Sequence, residues 1–202
     1  MPLLRSLALC AVTAMAVACS SPTPRHGVAL EPALPRPSFT LTDTRGQPFE
    51  FRKETRGLLT FLFFGYTNCP DVCPVHVQNV AAVLHTLSFE DQQQARFVFV
   101  TADPARDSLR VLRAWLDHFD KSFIGLRGED ADVAGIMGAI GLPPVMRGAP
   151  GANGWYEVGH PATVIVFTAD DSAHVLYPFG TRQADWAEDI PRLLRVRPLK
   201  GD

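Results

Sequence analysis

The sequence predicts an α/β fold, a central mixed sheet flanked by helices, with an N-terminal β-hairpin. Three features carry that expectation. "GLLTFLFF" (57–64) and "RFVFVT" (96–101) are unbroken apolar runs of strand length, as expected of strands buried on both faces. Between and after them, apolar residues recur at helical spacing, so strands and helices alternate. Ahead of them, "SFTLTDTRGQPFEF" (38–51) alternates in polarity and turns at Arg45–Gly46, which reads as a hairpin.

Taken in chain order, residues 1–18 open with a single positive charge, Arg5, followed by an apolar stretch and the small residues Ala16 and Ala18. This is the pattern of an export signal, and the apolar run falls short of the roughly 20 residues that span a bilayer. "AVAC" at 16–19 resembles the lipobox of bacterial lipoproteins, with Ala16 where that motif usually carries Leu. It makes Cys19 the candidate for a lipid-modified N-terminus, on an exported protein held at the periplasmic face of a membrane. Residues 19–37 carry five prolines from Pro22 to Pro37 and few aromatics, the composition of an extended tether, so the folded domain is expected over 38–202.

After the first apolar run, Val77, Val80, Val83, Leu84 and Leu87 fall at helical spacing, with Pro74 suited to the first helical turn. "RFVFVT" leads through "ADPARDS" into a helix marked by Leu109, Leu112, Leu116 and Phe119, with Asp107 or Ser108 as its cap. "SFIGLRG" reads as a short strand and "EDADVAGIMGAIGL" as a helix interrupted by glycines. "PPVMRGAPGANGWYEVG" is rich in Gly and Pro and reads as a long loop. Two strands follow, "ATVIVFT" and "HVLYPF", joined at Asp170–Asp171. A last helix presents Trp186, Ile190, Leu193 and Leu194 on one face. This order, with a cysteine pair opening the first long helix, resembles a thioredoxin-like fold.

Composition excludes one class of partner. With 19 basic against 21 acidic side chains, a formal net charge of -2 and no basic stripe, the chain has no electrostatic footprint for nucleic acid. Of its four cysteines, Cys10 lies inside the signal and Cys19 at the cut site, which leaves Cys69 and Cys73 in the domain. Outside the cytoplasm such thiols tend to oxidise unless they are kept reduced or hold metal. They sit at a strand-to-helix junction, four residues apart, so both sulfurs can face one point, and the unpaired N–H groups of the helix start favour a thiolate. A structural disulfide is the lesser reading, because a loop this small constrains the unfolded chain only modestly.

Two thiolates suit a soft ion such as Cu(I), and an imidazole extends the site to Cu(II) or Zn(II). His160, where the long loop enters a strand, is the best-placed imidazole, since in thioredoxin-like folds this position faces the cysteine-bearing helix end. His76 lies on the helix three residues after Cys73 and is expected to be solvated. His26, His85, His118 and His174 have no assigned role, and Met137 and Met146 read as a core residue and a loop residue.

"FFGYTNCPDVCPVHVQNV", "FVTADPARDS", "FIGLRG" and "GHPATVIVF", in this order, resemble the Sco/SenC family of copper-binding proteins across roughly residues 38–196. The Cys-Pro-Asp-Val-Cys-Pro core is the most specific of these motifs. The resemblance implies copper as the bound metal, Cys69, Cys73 and His160 as its ligands, and a supporting role for Asp103 near the site. It also implies assistance in delivering copper to the binuclear CuA centre of cytochrome c oxidase, with the CuA-bearing subunit or another copper-accepting protein as partner. The chain departs from the family at Gly159 and Pro161, where an acid and a small hydroxyl residue often flank the histidine.

Two functions therefore compete: a membrane-tethered copper metallochaperone, and a thiol-disulfide oxidoreductase that reduces the cysteines of the CuA-bearing subunit before metallation. Both use the same thiols, and they differ in whether the imidazole matters. A thiol peroxidase is a weaker third, because Thr67 stands too close to Cys69 for the usual spacing in such enzymes.

Overall fold

A computed structural model describes residues 24–152 and 154–198. The elements run β1 (Val28–Pro35), β2 (Thr40–Asp43), β3 (Pro48–Glu50), α1 (Phe51–Thr55), β4 (Leu59–Gly65), α2 (Val72–Leu84), α3 (Phe89–Gln93) and β5 (Ala95–Thr101). They continue α4 (Leu109–Leu116), β6 (Ile124–Arg127), α5 (Asp130–Ala139), β7 (Met146–Arg147), β8 (Val158–Gly159), β9 (Thr163–Phe167), β10 (Ser172–Pro178) and α6 (Gln183–Leu193). Eight strands form one mixed sheet in the order β1-β10-β9-β4-β5-β6-β2-β3, and β7 and β8 form a separate ribbon. The architecture is thioredoxin-like.

Parallel pairing joins β4 to β5 and β5 to β6, and every other pairing in the sheet is antiparallel. Because β4 lies in the middle with layers on both sides, all seven of its residues are buried, which is why its sequence is an unbroken apolar run. Phe61 and Phe63 point into the layer shared with Val77 and Val80 of α2 and Trp186 of α6. Leu62 and Phe64 point the other way, toward Phe51, Val133 and Met137.

Helix ends follow local chemistry. Asp71 caps α2 by accepting from the Val72 N–H at 2.6 Å, and Pro74 occupies its first turn. Ser108 caps α4 by accepting from the Val111 N–H at 3.3 Å, which leaves Asp107 free to turn inward. In α6, Trp186, Ile190 and Leu193 are buried as the periodicity predicts, while Leu194, at the C-cap, is half-buried. No helix among the described residues is long and apolar enough to cross a membrane.

Two stretches differ from the sequence reading. Val28–Pro35, assigned there to the tether, forms the edge strand β1 against β10, and the backbone N–H groups of Arg25 and His26 both bond the Asp189 carboxylate at 2.9 Å. Leu30 and Leu34 supply the apolar contacts, and the prolines are tolerated because an edge strand with an irregular register loses few ladder bonds at a missing N–H. The long Gly/Pro-rich loop also contains a pair of short strands. Met146 pairs with Gly159 and Arg147 with Val158, so the loop folds back as a ribbon leading into His160. The proposed signal 1–18 and Cys19 lie outside the described residues.

Candidate metal centre

The site grows from the end of β4. At Gly65 a side chain would begin 2.9 Å from both the Cys73 sulfur and the Phe99 ring, so only glycine lets helix and strand approach this closely. The turn from Tyr66 to Pro70 is closed by the Cys69 N–H to Tyr66 carbonyl bond at 3.2 Å. Asp107, fully buried, holds it from behind: its carboxylate accepts from the Thr67 N–H at 3.0 Å, the Thr67 hydroxyl at 2.6 Å and the Thr101 hydroxyl at 2.6 Å. Burial pushes the Asp107 carboxyl up, and the two threonines oppose that.

This turn leaves Cys69 just before α2 and Cys73 within its first turn, both buried and both free thiols. The Cys73 backbone N–H points at the Cys69 sulfur at 3.3 Å. The two thiols are unequal. Hydrogen bonding from the Cys73 side chain, with a further contribution from His160 and the backbone of Cys73 and Asp71, outweighs burial and lowers Cys69 to about 4. Cys73 is pushed up, first by burial, then by its hydrogen bond to the Cys69 sulfur and by the charge there.

His160 arrives from the other side of the cleft, on the segment leaving β8. Its Nε2 lies 3.3 Å from the Cys73 sulfur and 4.0 Å from the Cys69 sulfur. The three donor atoms all fall within 4.8 Å of one another. The His160 Nδ1 lies 3.2 Å from the Pro161 carbonyl, and in the tautomer that carries the proton on Nδ1 it donates there and leaves the Nε2 lone pair for a metal. Edge-on contacts with Phe63 at 5.9 Å and Tyr66 at 5.6 Å fix the ring plane. Tyr66, Cys69, Pro70, Trp155, Glu157 and His160 line a cleft of about 260 Å³ that gives access to this cluster. Two sulfurs and one imidazole nitrogen at this separation form a soft, three-donor set suited to copper and able to accept zinc.

Asp103 does not touch any of the three donors. It is fully buried, accepts from the Tyr156 hydroxyl at 2.8 Å, and pairs with Arg106. The Arg106 guanidinium lies 3.8 Å over the Tyr156 ring and 5.7 Å over Tyr66, the ring that meets His160. Asp103 therefore connects to the imidazole through Arg106 and Tyr66.

His76 is the clearest departure from the sequence reading. Expected on a solvated helix face, it is 1% exposed, packed against Phe63, Phe179 and Trp186, with Nε2 3.3 Å from the Ala162 carbonyl. The face of α2 that would have been solvent is covered by α6 and the end of β10. Asp107 was legible only as a helix cap, because nothing in its neighbourhood announces a bond to Thr67, 40 residues earlier. The remaining histidines form outlying contacts: His26 with Glu188, His85 with Asp120, His118 with the Trp115 carbonyl and His174 with Asp170. Met137 is core, as expected, and Met146 is exposed on the ribbon.

Fold and site together define a thioredoxin-like protein with a Cys-x-x-x-Cys pair facing a distant histidine. The family model described as SCO1/SenC matches residues 29–195, and the chain belongs to that family. A protein of Stutzerimonas stutzeri named for copper binding is 34% identical over 144 residues, covering 70% of this chain and 69% of its own length. Among solved structures, apo Sco1 from Thermus thermophilus is similar at a TM-score of 0.73 with 28% identity, covering 83% of this chain and 96% of that one. ScoI from Bradyrhizobium japonicum with copper bound is similar at a TM-score of 0.70 with 28% identity, covering 80% and 100%.

Proposed function

We propose that this protein is a copper metallochaperone that binds Cu(I) and Cu(II) through Cys69, Cys73 and His160 and assists assembly of the CuA centre of cytochrome c oxidase. The observation that carries the reading is the convergence of two thiols and an imidazole nitrogen from distant parts of the chain to within 4.8 Å. Copper-bound and copper-named relatives in the same family support copper as the cargo. In this reading the lowered Cys69 thiol supplies a thiolate at neutral pH, Cys73 loses its proton on binding, and His160 adds the nitrogen that Cu(II) prefers. The cleft beside Cys69 and His160 gives an acceptor protein a route to the cargo. A lipid on Cys19 would hold the domain at the periplasmic face of a membrane, near a CuA-bearing subunit or another copper acceptor.

The unequal thiols favour a second reading, a thiol-disulfide oxidoreductase acting on the CuA-bearing subunit. There the Cys69 thiolate would attack a partner disulfide and release one partner thiol. Cys73 would then displace the mixed disulfide, leaving a Cys69–Cys73 bond and a reduced partner.

One experiment separates them: anaerobic Cu(I) competition and Cu(II) spectroscopy on single variants, paired with oxidase activity in cells. Cys69→Ser and Cys73→Ser should abolish both binding modes. His160→Ala should spare much of the Cu(I) binding, weaken Cu(II), remove the thiolate charge-transfer absorption and impair oxidase assembly at limiting copper. Normal assembly with His160→Ala would defeat the chaperone and promote the reductase.

A further inference from the structure

The loop that carries His160 is tied to the helix that carries Cys73 by a histidine outside the three-donor set. His76 is one helical turn beyond Cys73, so it moves with the sulfur. Its Nε2 is 3.3 Å from the Ala162 carbonyl, and since that oxygen can only accept, Nε2 carries the proton and donates. Ala162 is two residues past His160, with the buried Pro161 between them, so the bond closes a short bracket around the imidazole. A second contact runs in parallel. The Phe63 ring packs against His76 at 5.3 Å on one side and against His160 at 5.9 Å on the other. His76 is almost fully buried, and burial holds the ring in its neutral form.

We infer that His76 is a positioning residue that sets the distance between the His160 nitrogen and the Cys73 sulfur, by bonding the His160 loop to α2 through the Ala162 carbonyl and packing on Phe63. The inference deepens the copper reading and rests on it for its consequence at the metal. Losing the donor leaves both cysteines in place but frees the imidazole. Its effect therefore falls on the oxidation state that needs nitrogen, and spares the one satisfied by two thiolates. Outer partners that orient a ligand are typically worth 10–100-fold in metal affinity, so a Cu(II) loss of about tenfold or more is expected.

The test compares His76→Phe, which keeps an aromatic ring and loses the donor, with His76→Gln, which keeps an N–H. His76→Leu is a second donor-free variant in case the phenyl ring overpacks the site. In metal-free protein, NMR of the His160 ring and amide exchange at Ala162 and Thr163 report how firmly the loop is held. Cu(II) titration with its charge-transfer spectrum, and anaerobic Cu(I) competition, report the metal side. The expected result is a loosened His160 loop in the Phe and Leu variants, Cu(II) affinity down about tenfold or more, Cu(I) affinity within about threefold of the parent, and recovery of both readouts in Gln. Parental loop protection in a folded donor-free variant, or equal losses of Cu(I) and Cu(II), would overturn it. If the parent itself binds no copper, the copper reading fails, and loop protection in the metal-free proteins still decides the role of His76.

Discussion

Cys73 sits fully buried in the first turn of α2, close against Gly65. The histidine facing it across 3.3 Å stands half-buried on a segment that leaves a ribbon of only two residue pairs. The cysteine half rests on a seven-residue central strand and a turn that Asp107 pins by two bonds to Thr67 and ties to the end of β5 by a third to Thr101. The histidine half rests on the Ala162 bond to His76, two aromatic edges and the anchoring of Arg147 of the ribbon to the Ala102 carbonyl at 2.9 Å and to Asp130 at 2.7 Å. A rigid sulfur pair beside a lightly held imidazole suits a cargo whose two oxidation states differ in their need for nitrogen. On the proposed function it would also suit release, because one donor can withdraw while the other two hold.

The sharpest way to break the contrast is to slacken the rigid half. Asp107→Ala strands the Thr67 N–H, the half-buried Thr67 hydroxyl and the buried Thr101 hydroxyl without an acceptor, and should cost about 3 kcal/mol of stability. Cu(I) and Cu(II) affinities should fall together, unlike the split expected from the histidine side. Urea denaturation checks the first claim, and a midpoint equal to the parent's would mean that the cysteine turn does not depend on Asp107.

A smaller effect lies within the rigid half itself. Because Cys69 is lowered to about 4, chiefly by its bond from the Cys73 side chain, its thiolate forms above that value and is lost only as the pH falls through it. Iodoacetamide should therefore modify Cys69 at about pH 6, where an ordinary thiol with a pKa of about 8.5 is almost wholly protonated, and should leave the buried Cys73 intact. Cys73→Ala should move the Cys69 profile upward. Peptide mapping by mass spectrometry reads both, and identical profiles for the two cysteines would contradict the asymmetry.

The smallest expected change sharpens the histidine half. Gly159 is exposed, and a side chain there would meet only the Met146 Cβ and carbonyl, at 3.5 and 3.6 Å, so Gly159→Asp fits without strain. Introducing a carboxylate before the imidazole should raise Cu(II) affinity by up to about tenfold and leave Cu(I) unchanged. A Cu(I) change of equal size, seen in the same competition assay, would show that the two halves are not separable.

Much of the rigid half was legible in the sequence. The apolar run of β4, the cysteine spacing and the helical periodicity after Pro74 are all local signals, and together they place two sulfurs at one strand-to-helix junction. The histidine half was legible mainly by analogy of position. The ribbon that delivers His160 has only two pairs of residues and sits within Gly- and Pro-rich sequence, so no alternation marks it. His76 carried a helix signal but no burial signal, because α6, which covers its face, is more than 100 residues away in the chain. β1 was hidden by prolines that are costly in a central strand but tolerated at an edge.

By itself the sequence determined which segments are strands buried on both faces, where the hairpin turns, which face of the last helix is apolar, and that two thiols open a helix. Each follows from side-chain periodicity or from the conformational limits of Gly and Pro within a window of a few residues. Only the tertiary structure decided that β1 closes the sheet edge, that Asp107 reaches back to Thr67, that His76 is buried, and that His160 meets the two sulfurs. Those outcomes depend on strand order and on contacts such as the 87- and 91-residue separations between His160 and its cysteines. No local pattern encodes such contacts, because their energy comes from burying surfaces that exist only once the sheet has assembled.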